Sequence, residues 1–275
     1  MKGTLYIVST PIGNLEDITL RALRVLRQAD IIAAEDTRRS LKLLTHYGIS
    51  KPLISYWKEK EKGKAGQILK ILLAGRSVAL VSDAGTPGIS DPGAVLIQRA
   101  IEEDVSVVSI PGPSAFLAAL SLSGLPAESF TFIGFLPARN VQRKKILTEL
   151  RLEPRTLIFY ESPHRILDTL EDMEMTFRGR KAAVVKEITK IHEEVLRGVI
   201  SGLLDKIRET TIAGEYVIIV EGRQAGKNVV TPDIISEIGS LMKKGLGRKE
   251  AAKKVAGAYG ISKKELYDKS LNEFP

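Results

Sequence analysis

The chain contains no cysteine, few histidines and no long apolar run, and each absence removes a class of protein. The lack of cysteine excludes disulfide bonds, thiolate nucleophiles and cysteine-bound zinc. The three histidines, His46, His164 and His192, are scattered and form no metal-binding spacing. No apolar run approaches the roughly 20 residues of a membrane helix, and the N-terminus has no signal-peptide pattern. We therefore expect a cytoplasmic protein with no membrane segment and no metal at its centre.

What remains is the composition of a soluble globular protein with a basic excess. Of its 275 residues, 44% are hydrophobic and 27% charged, and 41 Lys and Arg against 33 Asp and Glu give a net charge of +8. The excess favours a polyanionic partner. It is concentrated in an arginine stripe (Arg21, Arg24 and Arg27) and in residues 139–155, with six basic and two acidic side chains.

Short apolar strands alternate with helices in the first part of the chain. Strands are predicted at residues 3–8, 31–34, 53–56, 78–81 and 105–108, and helices include 66–74, 94–103 and one capped near Asp17 or Thr19. Runs that are apolar on both faces predict a mostly parallel sheet covered by helices. We assign residues 1–122 to this α/β domain.

The rest of the chain predicts a second domain and a small helical module. Residues 126–223 contain strands at 130–136, 156–160, 181–186 and 215–220 and a helix at 200–208, which predict a mixed sheet with hairpin-like connections. A linker at 228–232 precedes three short helices in residues 230–275 that resemble a helix-turn-helix unit. Residues 225–275 hold ten basic and six acidic side chains, so this module is either an RNA contact or a solvated cap.

The most informative segment is SDAGTPGISDPG, residues 82–93, which directly follows a buried strand. Ligands bind beyond the carboxyl ends of parallel strands, and glycines and prolines here predict a rigid binding loop in which glycines adopt positive φ. Asp83 is suited to accept hydrogen bonds from a ribose or an amine, or to brace the loop. The alternative for the end of the segment is a simple helix start, with Asp91 as N-cap and Pro92 in the first helical position.

A second strand end carries PGPSA, residues 111–115, where backbone amides and a small hydroxyl meet a helix N-terminus that suits a phosphate or carboxylate. No Walker lysine follows, and neither glycine loop matches a dinucleotide fingerprint.

Together these loops resemble a known family, the ribosomal RNA small subunit methyltransferase I family of the tetrapyrrole-methylase superfamily. The segments that carry the resemblance are STPIGNL at 9–15, AEDTR at 34–38, residues 82–93, PGPSA at 111–115, FYESPHR at 159–165, KEITK at 186–190 and GEYV at 214–217. The superfamily's glycine-rich first loop is replaced here by TPIGN, residues 10–14, which we therefore assign to the RNA side.

The resemblance implies a two-domain tetrapyrrole-methylase-like α/β fold, a homodimer, and 2′-O-methylation of a cytidine ribose in 16S rRNA of the small ribosomal subunit with S-adenosylmethionine. It implies that the donor lies between the domains. The residues it assigns to donor binding are Asp83, Ala84, Gly85, Thr86, Ile89, Ser114, Ala115, Tyr160, Glu161, Ala213 and Gly214.

Removal of the ribose proton calls for a base, and Glu35, Asp36 and Glu187 are the candidates. Our first choice is Asp36, with Arg38 as a phosphate or oxyanion partner, because a strand end there places a carboxylate, a hydroxyl and a guanidinium together. The same trio also suits a helix cap with a local ion pair.

Two other functions remain open at this point. One is a methyltransferase of the same superfamily acting on a tetrapyrrole or a protein, against which the basic segments argue. The other is a non-catalytic ribosome assembly factor with a vestigial cleft.

Overall fold

A five-stranded parallel sheet forms the centre of the first domain in the computed structural model, which describes residues 1–57, 61–223, 230, 232–259 and 261–274. Its strand order is β3-β2-β4-β1-β5, and each of these neighbouring pairs is parallel. The strands are β1 (Thr4–Val8), β2 (Ile31–Ala34), β3 (Leu53–Ser55), β4 (Val78–Val81) and β5 (Ser106–Ile110). Strands β2 and β4 are buried at every position, as the apolar runs predicted.

Helices cover both faces of this sheet because successive strand residues point to opposite sides. The helices of this half of the chain are α1 (Leu20–Gln28), α2 (Thr37–His46), α3 (Glu61–Leu73), α4 (Ala94–Glu102) and α5 (Ala115–Ser123). Leu5 and Leu80 pack with α3 and α4, whereas Val8 and Val81 pack with α1 and α2. Thr19 caps α1 by accepting from the Ala22 amide, which confirms one of the two predicted caps.

The second domain contains a mixed sheet in the order β6-β7-β10-β8-β9, in which the β6–β7 pair is parallel and the other neighbouring pairs are antiparallel. Its elements are β6 (Phe130–Phe135), α6 (Asn140–Glu149), β7 (Thr156–Glu161), α7 (Ile166–Phe177), β8 (Lys181–Lys186), β9 (Glu194–Val199), α8 (Ile200–Arg208) and β10 (Tyr216–Val220). Helices α6, α7 and α8 cover one face. The other face packs against α5 and Ile12, so the two domains share an apolar core.

Three helices, α9 (Pro232–Lys243), α10 (Arg248–Tyr259) and α11 (Lys263–Glu273), form the C-terminal module. Ile238, Val255 and Leu266 contribute to a separate small core. Arg151 of the second domain stacks over the Tyr259 ring at 4.6 Å. The predicted linker falls partly outside the described residues, at positions 228, 229 and 231. In the part of the chain that the structure covers, no helix has the length and apolar character to cross a membrane.

Candidate active site

Three loops meet at the carboxyl edge of the parallel sheet, after β1, β4 and β5. The Thr10 amide donates to the Gly85 carbonyl at 2.8 Å, and the Gly85 amide donates back to Thr10 at 3.0 Å. The hydroxyls of Ser9 and Thr86 lie 2.8 Å apart. A Cβ on Gly112 would lie 3.0 Å from the Ser9 Cβ, so the third loop also approaches closely. These contacts join the three loops at the edge of the sheet.

The loop at residues 82–93 turns on its glycines. Gly85, Gly88 and Gly93 have φ of 76°, 83° and 149°, which confirms the positive φ predicted for them. A Cβ on Gly93 would come within 2.9 Å of the Gly88 nitrogen, so a side chain cannot fit where the loop folds back.

The helix that follows this loop does not begin where the sequence suggested. Helix α4 begins at Ala94 with Gly93 as N-cap, so the expectation of Asp91 as cap and Pro92 in the first position is wrong. Glu61 of α3 takes the capping role: its Oε1 accepts from the amides of Gly93 at 2.9 Å and Val95 at 3.3 Å. Because a distant side chain satisfies these donors, Asp91 is left for another role.

Asp91 instead joins two other carboxylates at the edge of the sheet. Glu35 Oε2 accepts from the Asp83 amide at 3.3 Å, and Asp83 Oδ1 accepts from the Asp36 amide at 3.0 Å. Burial, with the negative charge of Glu35 nearby, raises the pKa of Asp91 to about 6. Burial likewise raises the pKa of Glu35. The guanidinium of Arg39 also lies near these three carboxylates, with Nη1 3.4 Å from Asp83 Oδ2.

Asp36 and Arg38, predicted as catalytic, form a helix cap and ion pair. Asp36 Oδ1 accepts from the Arg38 amide at 2.9 Å, and the guanidinium contacts both carboxylate oxygens, at 3.1 Å and 2.8 Å. The hydrogen bonds from Arg38 lower the pKa of Asp36 to about 2. A carboxylate held in this way is a weak proton acceptor.

The second domain faces the edge with Tyr160. Its ring packs between Phe132 and Phe135, with centroids 5.1 Å and 5.5 Å away, and burial raises the pKa of its hydroxyl to about 12. Tyr160 packs in the same apolar cluster as Ala115 and Phe116, and the charge of Asp91 contributes to its raised pKa. The structure therefore brings Tyr160 together with residues 82–93 and the start of α5.

Glu161 points the other way, although it too was predicted to meet the donor. Its side chain is 0% exposed and accepts from the Ser162 amide at 2.8 Å, Thr169 at 2.7 Å and Arg165 at 3.1 Å. Neighbouring residues of a strand face opposite sides of the sheet, so only the backbone of Glu161 accompanies Tyr160 in the cleft.

Ser114 and Ala115 stand at the N-terminus of α5, as predicted. Ser114 is the N-cap, and among the described residues its side chain makes no capping bond. The Pro113 carbonyl, just before this helix, lies near the loop at residues 82–93, since a Cβ on Gly85 would approach it to 4.0 Å.

Glu187 and Gly214, the latter next to Ala213 in the chain, lie together where the second domain meets the loop after β1. Glu187 Oε1 accepts from Lys190 at 2.8 Å and from the Glu215 amide at 2.9 Å, and its pKa is lowered by Lys190 and that amide despite partial burial. A Cβ on Gly214, which has φ of 82°, would lie 2.3 Å from that oxygen. Lys190 also packs against Gly13 of the first domain, where a Cβ would lie 2.5 Å from its side chain.

A cavity of about 160 Å³ opens beside Asp83, between the loop after β1 and helix α2. Its α2 residues were not predicted from the sequence; the available signal was the i, i+3, i+4 spacing of Arg39, Lys42 and Leu43 just after a strand end. The lining residues are Thr10, Pro11, Leu15, Arg39, Ser40, Lys42, Leu43, Ser82 and Asp83. Among the described residues, no group of histidine and acidic side chains is arranged to hold a metal ion.

Comparison with known proteins identifies the family of this chain. The sequence profile of the Tetrapyrrole (Corrin/Porphyrin) Methylases matches residues 4–204. The chain belongs to this methylase family. The predicted fold class, with a parallel first sheet and a mixed second sheet, is thereby confirmed.

Relatives within the family cover nearly the whole chain. A protein of Halalkalibacterium halodurans named ribosomal RNA small subunit methyltransferase I is 46% identical over 97% of this chain and 94% of its own length. A protein of the same name from Xylella fastidiosa is 47% identical over 96% of this chain and 98% of its own. The resemblance stated from the loop motifs is thus confirmed.

Solved structures of the methylase family share the fold at low identity. A cobalt precorrin-4 methyltransferase superposes with a TM-score of 0.59 at 20% identity, covering 79% of this chain and 94% of its own. A Thermus thermophilus uroporphyrin-III C-methyltransferase complexed with S-adenosylhomocysteine superposes with a TM-score of 0.57 at 18% identity. The superposition covers 80% of this chain and 97% of that one. At these identities the likeness concerns the fold.

Proposed function

We propose that this methylase transfers a methyl group from S-adenosylmethionine to the 2′-hydroxyl of a cytidine ribose in 16S rRNA of the small ribosomal subunit. The observation that carries the proposal is the 46–47% identity, over nearly the full length, to proteins named ribosomal RNA small subunit methyltransferase I. We further propose that the protein acts in the cytoplasm as a homodimer. The tetrapyrrole alternative rests on fold likeness at 18–20% identity and carries less weight.

The chemistry of the cleft fits the proposed donor. The start of α5 at Ser114 supplies amides and a positive helix end for a carboxylate, such as that of the methionine part. Asp83 supplies an acceptor for the ribose hydroxyls, and the turn at Gly85 keeps side chains out of the space beside Pro113. Tyr160 supplies an aromatic face. The remaining predicted donor residues Ala84, Thr86, Ile89, Ala213 and Gly214 would contribute backbone and small contacts around it.

S-adenosylmethionine supplies an activated, electrophilic methyl group. What this chain must add is alignment of the ribose oxygen and acceptance of its proton. We propose Glu35 for the proton, in preference to Asp36, because its carboxylate is partly buried and its pKa is raised. It accepts from the Asp83 amide and, within the described part of the chain, forms no ion pair. Asp36 and Glu187 are the alternatives, each held by a cation.

The proposed activity is tested with small ribosomal subunits from cells that lack this gene. The purified protein with S-adenosylmethionine should add one ribose methyl group per subunit, located by mass spectrometry of nuclease fragments of the 16S rRNA. A Gly85→Val variant should lose most of the donor affinity measured by calorimetry, because a branched side chain is strained at positive φ and enters the donor space. Donor binding without methylation of any subunit would refute the proposed substrate, and no donor binding would favour the assembly-factor alternative.

A further inference from the structure

The cavity between the loop after β1 and helix α2, here called the α2 slot, has no role in donor binding as proposed. The two sites share Asp83 and no other lining residue. The slot has a volume of about 160 Å³. Small-molecule sites usually measure about 300–1,000 Å³, so this space suits a single ring and not an entire donor molecule.

The α2 slot is lined by both apolar and hydroxyl-bearing residues. Pro11, Leu15 and Leu43 contribute hydrocarbon surface. Ser40 and Ser82, whose residues are 6% and 2% exposed, add hydroxyl oxygens, of which that of Ser82 donates to the Ala84 carbonyl at 3.2 Å and still has lone pairs to accept with. Apolar walls with a few buried hydrogen-bonding groups are what an unstacked nucleobase requires, because its faces are apolar and its edge carries donors and acceptors.

The rim of the α2 slot is cationic. Arg39 and Lys42 stand one helical turn apart on α2, and the Arg39 side chain is 68% exposed. Arg38 precedes them on the same exposed turn. Exposed cations at this spacing suit phosphates on either side of an extruded nucleotide.

We propose that the α2 slot takes the base of the nucleotide that is methylated, with Arg39 and Lys42 contacting its flanking phosphates. The ribose of that nucleotide would then lie between the slot and the donor site, on the side where Glu35 accepts from the Asp83 amide. This inference rests on the proposed function, since it names the part of the RNA that the site receives. It also agrees with the assignment of residues 10–14, in the loop after β1, to the RNA side, because Thr10 and Pro11 line the slot.

A binding experiment tests the slot without any turnover. In protein with labelled leucine methyl groups, millimolar cytidine 5′-monophosphate should shift the NMR signals of Leu15 and Leu43, assigned by their loss in Leu15→Ala and Leu43→Ala. Ribose 5-phosphate, which carries the same phosphate without a base, should leave them in place. Equal shifts with both compounds, or none with the nucleotide, would overturn the proposal.

A kinetic experiment tests it on the subunits themselves. Leu15→Ala and Lys42→Gln should each raise the KM for subunits about fivefold or more with donor affinity unchanged, and Lys42→Gln should lower the log-log salt slope of RNA binding by roughly 0.7 to 0.9. Matched controls are Leu41→Ala, exposed on α2 outside the slot, and Lys70→Gln on α3. If the wild-type protein methylates subunits and the slot variants match their controls, the slot assignment fails while the proposed function stands. If the wild type methylates none, the proposed function fails and the NMR result decides the slot.

Discussion

The acidic side chains of the two domains have different surroundings. Buried carboxylates of the second domain are paired with cations, whereas Glu35 and Asp91 of the first domain lie near one another. In the second domain, Asp172 lies 2.6 Å from Arg143, and both side chains are less than 5% exposed. Glu161, fully buried, accepts from Arg165, Thr169 and a backbone amide. At the edge of the first sheet, Glu35 and Asp91 are partly buried near one another, and their pKa values are raised.

The contrast separates charges that maintain the fold from charges available for chemistry. A buried carboxylate that is paired with a cation, as Asp172 and Glu161 are, serves the packing of its domain. A carboxylate in a partly dry cleft beside other negative charges gains by accepting a proton, and it is destabilising until it does. The first domain thus gives up stability at the edge where the proposed reaction takes place.

The largest effect should follow from breaking the buried pair of the second domain. Asp172→Ala leaves Arg143 charged and unpaired in the core, so we expect a loss of about 3–5 kcal/mol in the free energy of unfolding, measured with urea. The matched control is Glu171→Ala on the same helix, which removes an exposed pair with Arg208 and should cost about 0–1 kcal/mol. Equal losses in the two variants would show that burial does not distinguish these pairs.

Replacing Glu35 should lower the rate of methylation. Glu35→Gln keeps the shape and removes the proton acceptor, so the single-turnover rate of methylation should fall on the order of 100-fold with donor affinity intact. For the wild type, the rate should decline as the pH falls through the raised pKa of Glu35. The exposed Glu16→Gln is the control. A greater loss of rate in Asp36→Asn or Glu187→Gln would move the base to that residue.

The raised pKa of Asp91 should appear in the pH dependence of the free energy of unfolding. Its pKa rises from the ordinary value of 3.8 to about 6 on folding, so the folded protein binds the extra proton and the wild type should lose stability as the pH rises from 4 to 6. Asp91→Asn should remove this slope and raise the free energy of unfolding at pH 7.5 by about 1 kcal/mol after screening by solvent. Asp104→Asn at an exposed turn should change neither quantity, and a destabilised Asp91→Asn would contradict the expectation.

The smallest effect should come from Asp36. Asparagine caps a helix as well as aspartate, and the ion pair with Arg38 is exposed, so Asp36→Asn should not shift the urea midpoint measurably at pH 7.5. Any stabilisation from its lowered pKa is present above the ordinary value of 3.8 and is lost as the pH falls toward about 2. A methylation rate within about threefold of wild type would agree with a capping role.

Local patterns in the sequence were sufficient for the sheet and the glycine loop. The strands at Ile31–Ala34 and Val78–Val81 and the helix Ile200–Arg208 have the predicted bounds, because unbroken apolar runs and a clearly amphipathic helix are strong local signals. Helix α7 and strand β9 were not predicted. Acidic residues interrupt the apolar pattern of α7, and β9 at the sheet edge is only half-buried or exposed.

The loops of the candidate site could be predicted from the sequence, but the partners of its acidic side chains could not. Glu61 caps α4 from more than 30 positions away, a contact that no local pattern contains. Once Glu61 takes that role, Asp91 is free to join Glu35, and the prediction of Asp91 as a cap fails. The orientation of Glu161 was accessible, however: it adjoins Tyr160 in a strand, where side chains alternate between faces.

Helix α5 has a consequence for how this molecule unfolds. It follows the last strand of the first sheet, yet its side chains complete the core under the second sheet, together with Ile12 from the first loop. Neither half can therefore lose its structure without exposing apolar surface of the other. We expect residues 1–223 to melt in a single cooperative transition, and amide exchange in β1 and β10 to report one common opening free energy.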